Sequence, residues 1–460
     1  MSAENKAENK MDKIISLCKR RGFIFPGSEI YGGLANTWDY GPLGILLKNN
    51  IRDYWWQKIV RENNDIVGLD ASILMNSKVW EVSGHVAGFT DPLVDCKACK
   101  KRWRADHLLE AKGLKPDFEP DVELVDIKCP ECGGSLGAVR QFNLMFETNI
   151  GPLKDEGSKV YLRPETAQGI FVNFKNVLES QRKRVPFGIA QIGKAFRNEI
   201  TPGNFVFRTR EFEQMEMEWF VKPGTDEDWF ETWKNFMWEW FKNLGVKEKD
   251  LRFYEHPKEK LSHYSKRTVD LEYNFPWGWG ELWGLANRTD FDLKQHSKFS
   301  GQELSYRDPE TNEVFVPFVI EPALGLTRAL LVLLLNAYEE VETRSGNEDG
   351  KHETEIVLRL HKAIAPIKAA ILPLSKKEPL AKLALEIQAS LAGSMMTQYD
   401  ETGSIGKRYR RQDEIGTPYC VTVDFESLED KQVTVRDRDT MAQERVAIAD
   451  LRNYLINKFL

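Results

Sequence analysis

"KAFRNEITPGNFVFRTREFEQMEMEWF" (residues 194–220) sets three arginines, five glutamates and six aromatic residues around a Pro-Gly pair. Two antiparallel strands, 194–199 and 207–220, joined by a loop containing TPGN, make its side chains alternate between the faces of a sheet. Arg197 and Glu199 then share a face of the first strand; Arg208, Phe212 and Glu216, spaced by four, share a face of the second. Such a surface suits a nucleoside triphosphate. Arginine holds phosphate oxygens in pairs, a phenyl ring stacks on a base, and a carboxylate accepts from an exocyclic amine or holds magnesium. The same residues also fit a solvated ladder of cross-strand ion pairs, and the stretch alone does not choose.

A chain of 460 residues predicts two or three domains. Hydrophobic content of 42% with 29% charged residues is that of an ordinary folded protein. No apolar run approaches the roughly 20 residues of a membrane span. The longest, ALLVLLLNAY (329–338), reads as a buried helix, and a cytoplasmic, membrane-free protein is expected. Residues 1–10 lack an apolar segment and are expected to be a disordered tail. A net charge of −6 gives no global attraction to nucleic acid, although a local basic face stays compatible with it.

Apolar residues at three- and four-residue steps predict a helix over 43–62, and DIVGLDASILM (65–75) reads as extended. Composition shifts toward Lys, Asp and Cys over 91–140, an apparent insertion between a first segment (11–90) and a second (141–340) of one body. Helices are expected at 167–184 and 226–244. The polar stretch 341–355 reads as a linker. Beyond it a helix over 377–394, the strands YCVTVDF and QVTVRDRD, and a closing helix predict a small α/β domain over 356–460.

The six cysteines fall as two tight pairs and two singletons, Cys18 and Cys420, which read as small core residues. Cys96-x2-Cys99, a gap of 29 residues, then Cys129-x2-Cys132 followed by Gly-Gly offers four thiolates in two knuckles. This is the ligand set of a structural Zn²⁺ ion, with no open coordination position. His85 and His107 lie nearby in sequence and read as ordinary surface histidines.

FRNE (196–199) followed by Arg208 and Phe212 resembles the second signature motif of class II aminoacyl-tRNA synthetases. EPALGLTRALLVLLL (321–335), in which Gly325 and Arg328 open an apolar helix, resembles their third. YLRPETAQGIF (161–171) and GWGELWGLANRTDFDL (278–293) resemble segments of the single-chain, homodimeric glycyl-tRNA synthetases. So do YGGLANTWDYGPLG (31–44), SGHVAGFTDP (83–92), the cysteine pairs and IGKRYRRQDEIGTPYCVTVDF (405–425), so the resemblance spans nearly the whole chain.

The resemblance implies a multidomain α+β and α/β protein: an antiparallel catalytic sheet flanked by helices, the zinc-binding insertion, and a C-terminal anticodon-binding domain. It implies glycylation of tRNA(Gly) through a glycyl adenylate, with ATP bound bent on the sheet, Mg²⁺, structural Zn²⁺, and a second copy of the chain as partner. Arg197 would hold the α-phosphate, Arg208 and Arg328 the terminal phosphates, Phe212 the adenine ring and Glu199 its amine. Asn198, Glu216 and Glu281 would complete the ATP set, with Arg197 and Arg328 catalytic. The glycine ammonium would sit among Glu165, Glu281 and Glu321 beside Ala323, and Arg288 would hold the glycine carboxylate. Lys407, Arg408, Arg410 and Arg411 would contact tRNA phosphates, although a bare charge run more often makes a solvated face. Two departures stand out: Ala323 replaces a common Ser, and Thr327 a common Gly or Asp. The first class II motif ends in an interface proline, and 43–75 contains none. A synthetase for another amino acid, or a synthetase-like binding protein without catalysis, are the competing readings; the intact Arg197, Arg208, Phe212 and Arg328 argue against the second.

Overall fold

The computed structural model describes residues 3–115, 124, 126–152, 156–342 and 354–459. Its centre is a sheet of β1 (Ile66–Gly68), β2 (Phe187–Phe196), β3 (Glu211–Val221), β4 (Leu251–Glu255), β5 (Arg267–Phe275), β6 (Gly278–Thr289) and β7 (Phe318–Gly325). The order is β4-β5-β6-β7-β3-β2-β1, antiparallel except for the parallel β1–β2 edge pair. Alternation divides its faces. On β3, Met215, Met217, Trp219 and Val221 join the main core, whereas Phe220 packs in a separate apolar cluster on the other side. On β7, Ile320 and Leu324 face the main core, and Val319 the other cluster.

Helices α1 (Ala3–Arg21), α2 (Pro42–Trp56), α3 (Ala167–Phe171), α4 (Phe174–Ser180), α5 (Asp226–Asn243), α6 (Phe291–Ser300) and α7 (Leu326–Ala337) surround this sheet. α7 is apolar on nearly every side and correspondingly buried. α2 carries Leu47, Ile51 and Trp55 into the same core and starts at Pro42, where a missing N–H costs nothing. A Cβ at Gly44 would lie 1.8 Å from the Phe23 carbonyl oxygen, so this helix approaches the backbone as only glycine permits. No described helix is long and apolar enough to cross a membrane.

Several sequence expectations change. Residues 3–10 are helical rather than a tail: their Ala, Glu and Lys composition favours helix and extends the segment whose Ile14 and Leu17 are buried. The 194–199 strand ends at Phe196 and its partner begins only at Glu211. Arg197 to Arg210 form the connection, closed by a Gly203–Arg208 bridge. The 167–184 helix is two, α3 and α4; at the break the Asn173 side chain donates to the Gly169 carbonyl at 2.8 Å. Of the expected linker, 343–353 lies outside the described residues, and its flanks are strands: Val341 pairs with Glu355 and Glu342 with Thr354.

The segment between Thr90 and Asn143 has its own three-stranded sheet and a small core that includes Val94, Ala105, Leu109, Leu136 and Val139. The C-terminal sheet comprises β8 (Ala369–Pro373), β9 (Thr397–Tyr399), β10 (Tyr419–Val423), β11 (Gln432–Asp437) and β12 (Gln443–Ala447), in the order β9-β8-β10-β11-β12. α8 (Glu378–Leu391), α9 (Ile405–Ile415) and α10 (Leu451–Phe459) flank it. Leu358, Leu360, Ile364, Ile367 and Ile415 nevertheless belong to the main core.

Candidate active site

A cleft opens on the sheet face away from the main core. Glu165, Arg197, Glu199, Arg208, Phe212, Glu216, Glu281, Glu321, Ala323 and Arg328 line it, together with Phe207, Tyr264 and Thr327. The fold thus brings together residues from four separate stretches of sequence, 161–171, 194–220, 278–293 and 321–335. The side chains of the opening stretch divide between ion pairs and the cleft. Lys194–Glu211 and Lys48–Glu213 are ion pairs outside the cleft lining, while Arg208, Phe212 and Glu216 line it.

One end is cationic. Arg197 donates from Nε to the Pro164 carbonyl at 3.0 Å, and its guanidinium lies 5.3 Å from the ring centroids of both Phe89 and Phe212. Arg328 donates from Nε to the Phe207 carbonyl at 3.2 Å, stacks 4.5 Å from the Phe207 ring, and pairs with Glu281 at 3.0 Å. These contacts fix the guanidinium planes before any anion arrives, which lowers the ordering cost of binding. Arg328 is also the main reason that the Glu281 carboxyl titrates below its usual range.

The other end is acidic. Burial pushes Glu165 up, but His85, with Nε2 at 3.3 Å, and the more distant Arg288 and Arg197 outweigh it and hold the carboxylate ionised. Glu216 accepts from the Thr166 N–H at 3.1 Å; burial, then the neighbouring Glu321 and Glu165 charges, push its pKa well above the usual range. Burial likewise raises Glu321 despite Arg288 at 2.9 Å. The carboxyl groups here outnumber the cations that reach them, an arrangement that favours a ligand ammonium group.

Two β-bulges aim residues that strict alternation would misplace. Leu271 pairs with Trp283 and Glu272 with Glu281, so Leu282 is the extra residue. Trp283 therefore faces the core while Glu281 turns to the cleft. Asn287 pairs with Ile320 and Thr289 with Val319, leaving Arg288 as the extra residue of the second. Arg288 is 1% exposed and does not line the cleft. Its Nε and Nη2 donate to Asp292 at 2.8 and 2.9 Å and its Nη1 to Glu321, so its fork is already occupied. The expectation that it holds a ligand carboxylate is corrected accordingly. Asn198 also lies outside the lining; its backbone N–H is spent on the Leu144 carbonyl at 2.8 Å.

The basic run on α9 is corrected too. Arg408 is 2% exposed and donates to the carbonyls of Pro373, Leu374 and Asp400. Arg410 pairs with Glu355 at 2.6 Å and Arg411 with Asp400 at 2.5 Å, whereas Lys407 is exposed. A helix places successive residues on different faces, so four cations in a row do not make one patch.

His85, read from sequence as a surface residue, is half-buried between Ser83 Oγ, 2.8 Å from Nδ1, and Glu165. Only its place in SGHVAGFTDP signalled a role. Tyr264 was missed because nothing local marks it; Thr166 and Phe207 stand inside quoted stretches but are uncharged and were passed over.

The four paired cysteines converge, each offering a sulfur within 4.8 Å of the others. Cys96 and Cys132 sulfurs are 3.5 Å apart, Cys99 and Cys129 3.7 Å. A tetrahedron with Zn–S bonds of about 2.3 Å has edges of about 3.8 Å, so the donor set fits the ion. A Cβ at Gly134 would crowd the Cys96 and Cys132 sulfurs at 3.2 Å and Ala98 at 2.8 Å, which explains the glycine there.

A family model for the class II tRNA synthetase core domain (G, H, P, S and T) matches residues 146–337, and one for the anticodon binding domain matches 368–458. Proteins called glycine–tRNA ligase are similar over nearly the full length. That of Clostridium acetobutylicum is 58% identical, covering 98% of this chain and 99% of its own. That of Geobacillus kaustophilus is 58% identical over 97% and 98%, and that of Caldanaerobacter subterraneus subsp. tengcongensis 56% over 97% and 98%. With a cleft of matching polarity at the site that the class II motifs mark, the chain belongs to the glycine–tRNA ligase family of class II aminoacyl-tRNA synthetases.

Proposed function

We infer that the chain attaches glycine to tRNA(Gly) in two steps, forming glycyl adenylate from glycine and ATP and then transferring the glycyl group to the tRNA. The observation that carries the reading of the site is the polarity of one cleft: Arg208 and Arg328 at one end, three buried carboxylates at the other, and Arg197 between them, on a single sheet face. Arg208 and Arg328 take the outer phosphates of ATP, and Phe212 stacks on the base. The glycine ammonium enters among Glu165, Glu216 and Glu321, above Ala323. Arg197, between the two ends, meets the glycine carboxylate and the α-phosphate as one oxygen of the former attacks phosphorus and pyrophosphate leaves. Charge grows on phosphoryl oxygens, so fixed guanidinium groups lower the barrier and no protein nucleophile is required. Mg²⁺ would add charge neutralisation at the phosphates, with Glu199 and Glu281 the carboxylates at that end. Glu281 thus moves from the ammonium end, where the family pattern put it, to the phosphate end.

Several further proposals accompany this reading. Cys96, Cys99, Cys129 and Cys132 hold one structural Zn²⁺. Residues 11–90 and 141–340 form the catalytic body, 91–140 the zinc-binding insertion, and 356–460 the anticodon-binding domain, with Lys407 available to tRNA phosphates. The chain acts as a homodimer in the cytoplasm; Ile30, Tyr31 and Leu34, 88%, 87% and 64% exposed, offer apolar surface that a second copy would cover. Sedimentation equilibrium decides the dimer. Pyrophosphate exchange into ATP, run with each amino acid in turn, tests the activity: glycine alone should support it, and exchange driven by alanine or serine instead would overturn the substrate assignment.

A further inference from the structure

We propose that Gln168 is a positioning residue for glycine, its side-chain amide locking together the two acidic arms of the ammonium pocket, with His296 setting the direction of that amide. The proposal rests on the reading that Glu165 and Glu321 surround the glycine ammonium.

Gln168 sits on α3, fully buried and outside the cleft lining. Its Nε2 lies 3.1 Å from Glu165 Oε1 and 2.9 Å from Asp292 Oδ1. Carboxylates only accept, so both amide hydrogens are committed, one to each acid. The carbonyl oxygen then needs a donor, and His296 Nε2 stands 2.8 Å away. Reversing the amide would set its oxygen against two carboxylates, so the His296 N–H holds it the right way round. From Asp292 the chain continues through Arg288 to Glu321.

The result is a continuous path, Glu165–Gln168–Asp292–Arg288–Glu321, that begins and ends at residues lining the cleft. Glu165 enters from the segment before α3 and Glu321 from β7; the Thr166–Glu216 hydrogen bond ties the backbone beside Glu165 to β3, next to β7, but leaves the two carboxyl groups themselves unlinked. The Gln168 amide couples them. Its removal leaves His85 as the direct side-chain contact of Glu165 and leaves Asp292 with one fewer donor. The pocket would keep its charges but lose their spacing, and a ligand as small as glycine has few other contacts with which to compensate.

The test uses the full chain in pyrophosphate exchange, with glycine and ATP varied separately. Gln168→Met keeps the volume and removes both donors. It should raise the KM for glycine roughly tenfold or more, the size of a lost hydrogen bond to a charged group, with the KM for ATP unchanged. His296→Phe should move the glycine KM in the same direction, and His296→Gln, which retains an N–H donor, should restore it. Because His296 acts through Gln168, the double variant Gln168→Met/His296→Phe should be no worse than Gln168→Met. Equal rises in both KM values, or a lowered melting temperature with unchanged glycine KM, would overturn the proposal; should Gln168→Met not fold, the His296 pair decides it. Glu321→Gln, run alongside, separates the two readings. If it leaves the glycine KM unchanged, the pocket assignment itself fails and this proposal with it. If it raises the KM and Gln168→Met does not, only the positioning role fails.

Discussion

Glu218 follows Glu216 on the cleft face of β3 and is fully buried, with neither carboxyl oxygen hydrogen-bonded. Burial, then the nearby Glu321 and Glu216, raise its pKa well above the ordinary 4.5. The folded chain therefore holds a proton there that the unfolded chain releases. This contribution to stability is fully present below about pH 4.5 and is lost as pH rises through the folded-state pKa. Glu218→Gln mimics the protonated shape without the titration. Its melting temperature should match the parent in acid and exceed it increasingly as pH rises, read by thermal denaturation across pH; a constant gap would contradict the assignment. At the cationic end, Arg197→Ala should nearly abolish adenylate formation. Phe212→Ala should chiefly weaken ATP binding, by roughly 1–3 kcal/mol if base stacking is comparable to that at other sites. Both are read from exchange kinetics, and unchanged ATP dependence in the two variants would leave that end without its proposed role.

At the scale of elements, the cysteine knuckles make the sharpest prediction. The small core of the insertion contains Cys96 and Cys129 themselves, so ligand geometry and packing are linked. Elemental analysis should give about one zinc per chain, and Cys132→Ser should release it and loosen the insertion to protease, since structural zinc supplies folding free energy. Full zinc retention by that variant would overturn the site. Elements whose hydrophobic period is strong were legible from sequence: α5 and α7 lie within a few residues of their expected limits, and α2 reaches its expected end only through a π-helical continuation over Gln57–Arg61. The bulges at Leu282 and Arg288 were not. Alternation puts Glu281 on the face of Trp283, and only pairing with β5 and β7 shows the extra residue that turns it to the cleft.

For the whole molecule, the polar stretch near 341–355 suggested that the chain could be cut there into two folded parts. The structure argues otherwise. Leu358, Leu360, Ile364, Ile367 and Ile415 are buried in the same core as α2 and α7, and Asn50 donates to the Ile364 and Ala365 carbonyls at 3.2 and 2.9 Å. A fragment ending at Gly346 would uncover that surface. It should melt well below the full chain, bind a hydrophobic dye and lose exchange activity; a fragment with native melting and exchange would refute this shared core.

The sequence by itself determined the chemistry and much of the architecture. Paired cysteines, motif arginines and a period-two strand are local patterns, and each carries its own physical reason within a few neighbouring residues. Tertiary structure decided which charges are used. Arg288 and Arg408 are as cationic in sequence as Arg197, yet both are enclosed, Arg288 donating to Asp292 and Glu321 and Arg408 to three carbonyls. His85 and Gln168 gained roles from partners far along the chain. A charged group's availability depends on burial and on distant partners, and neither is written in its neighbours.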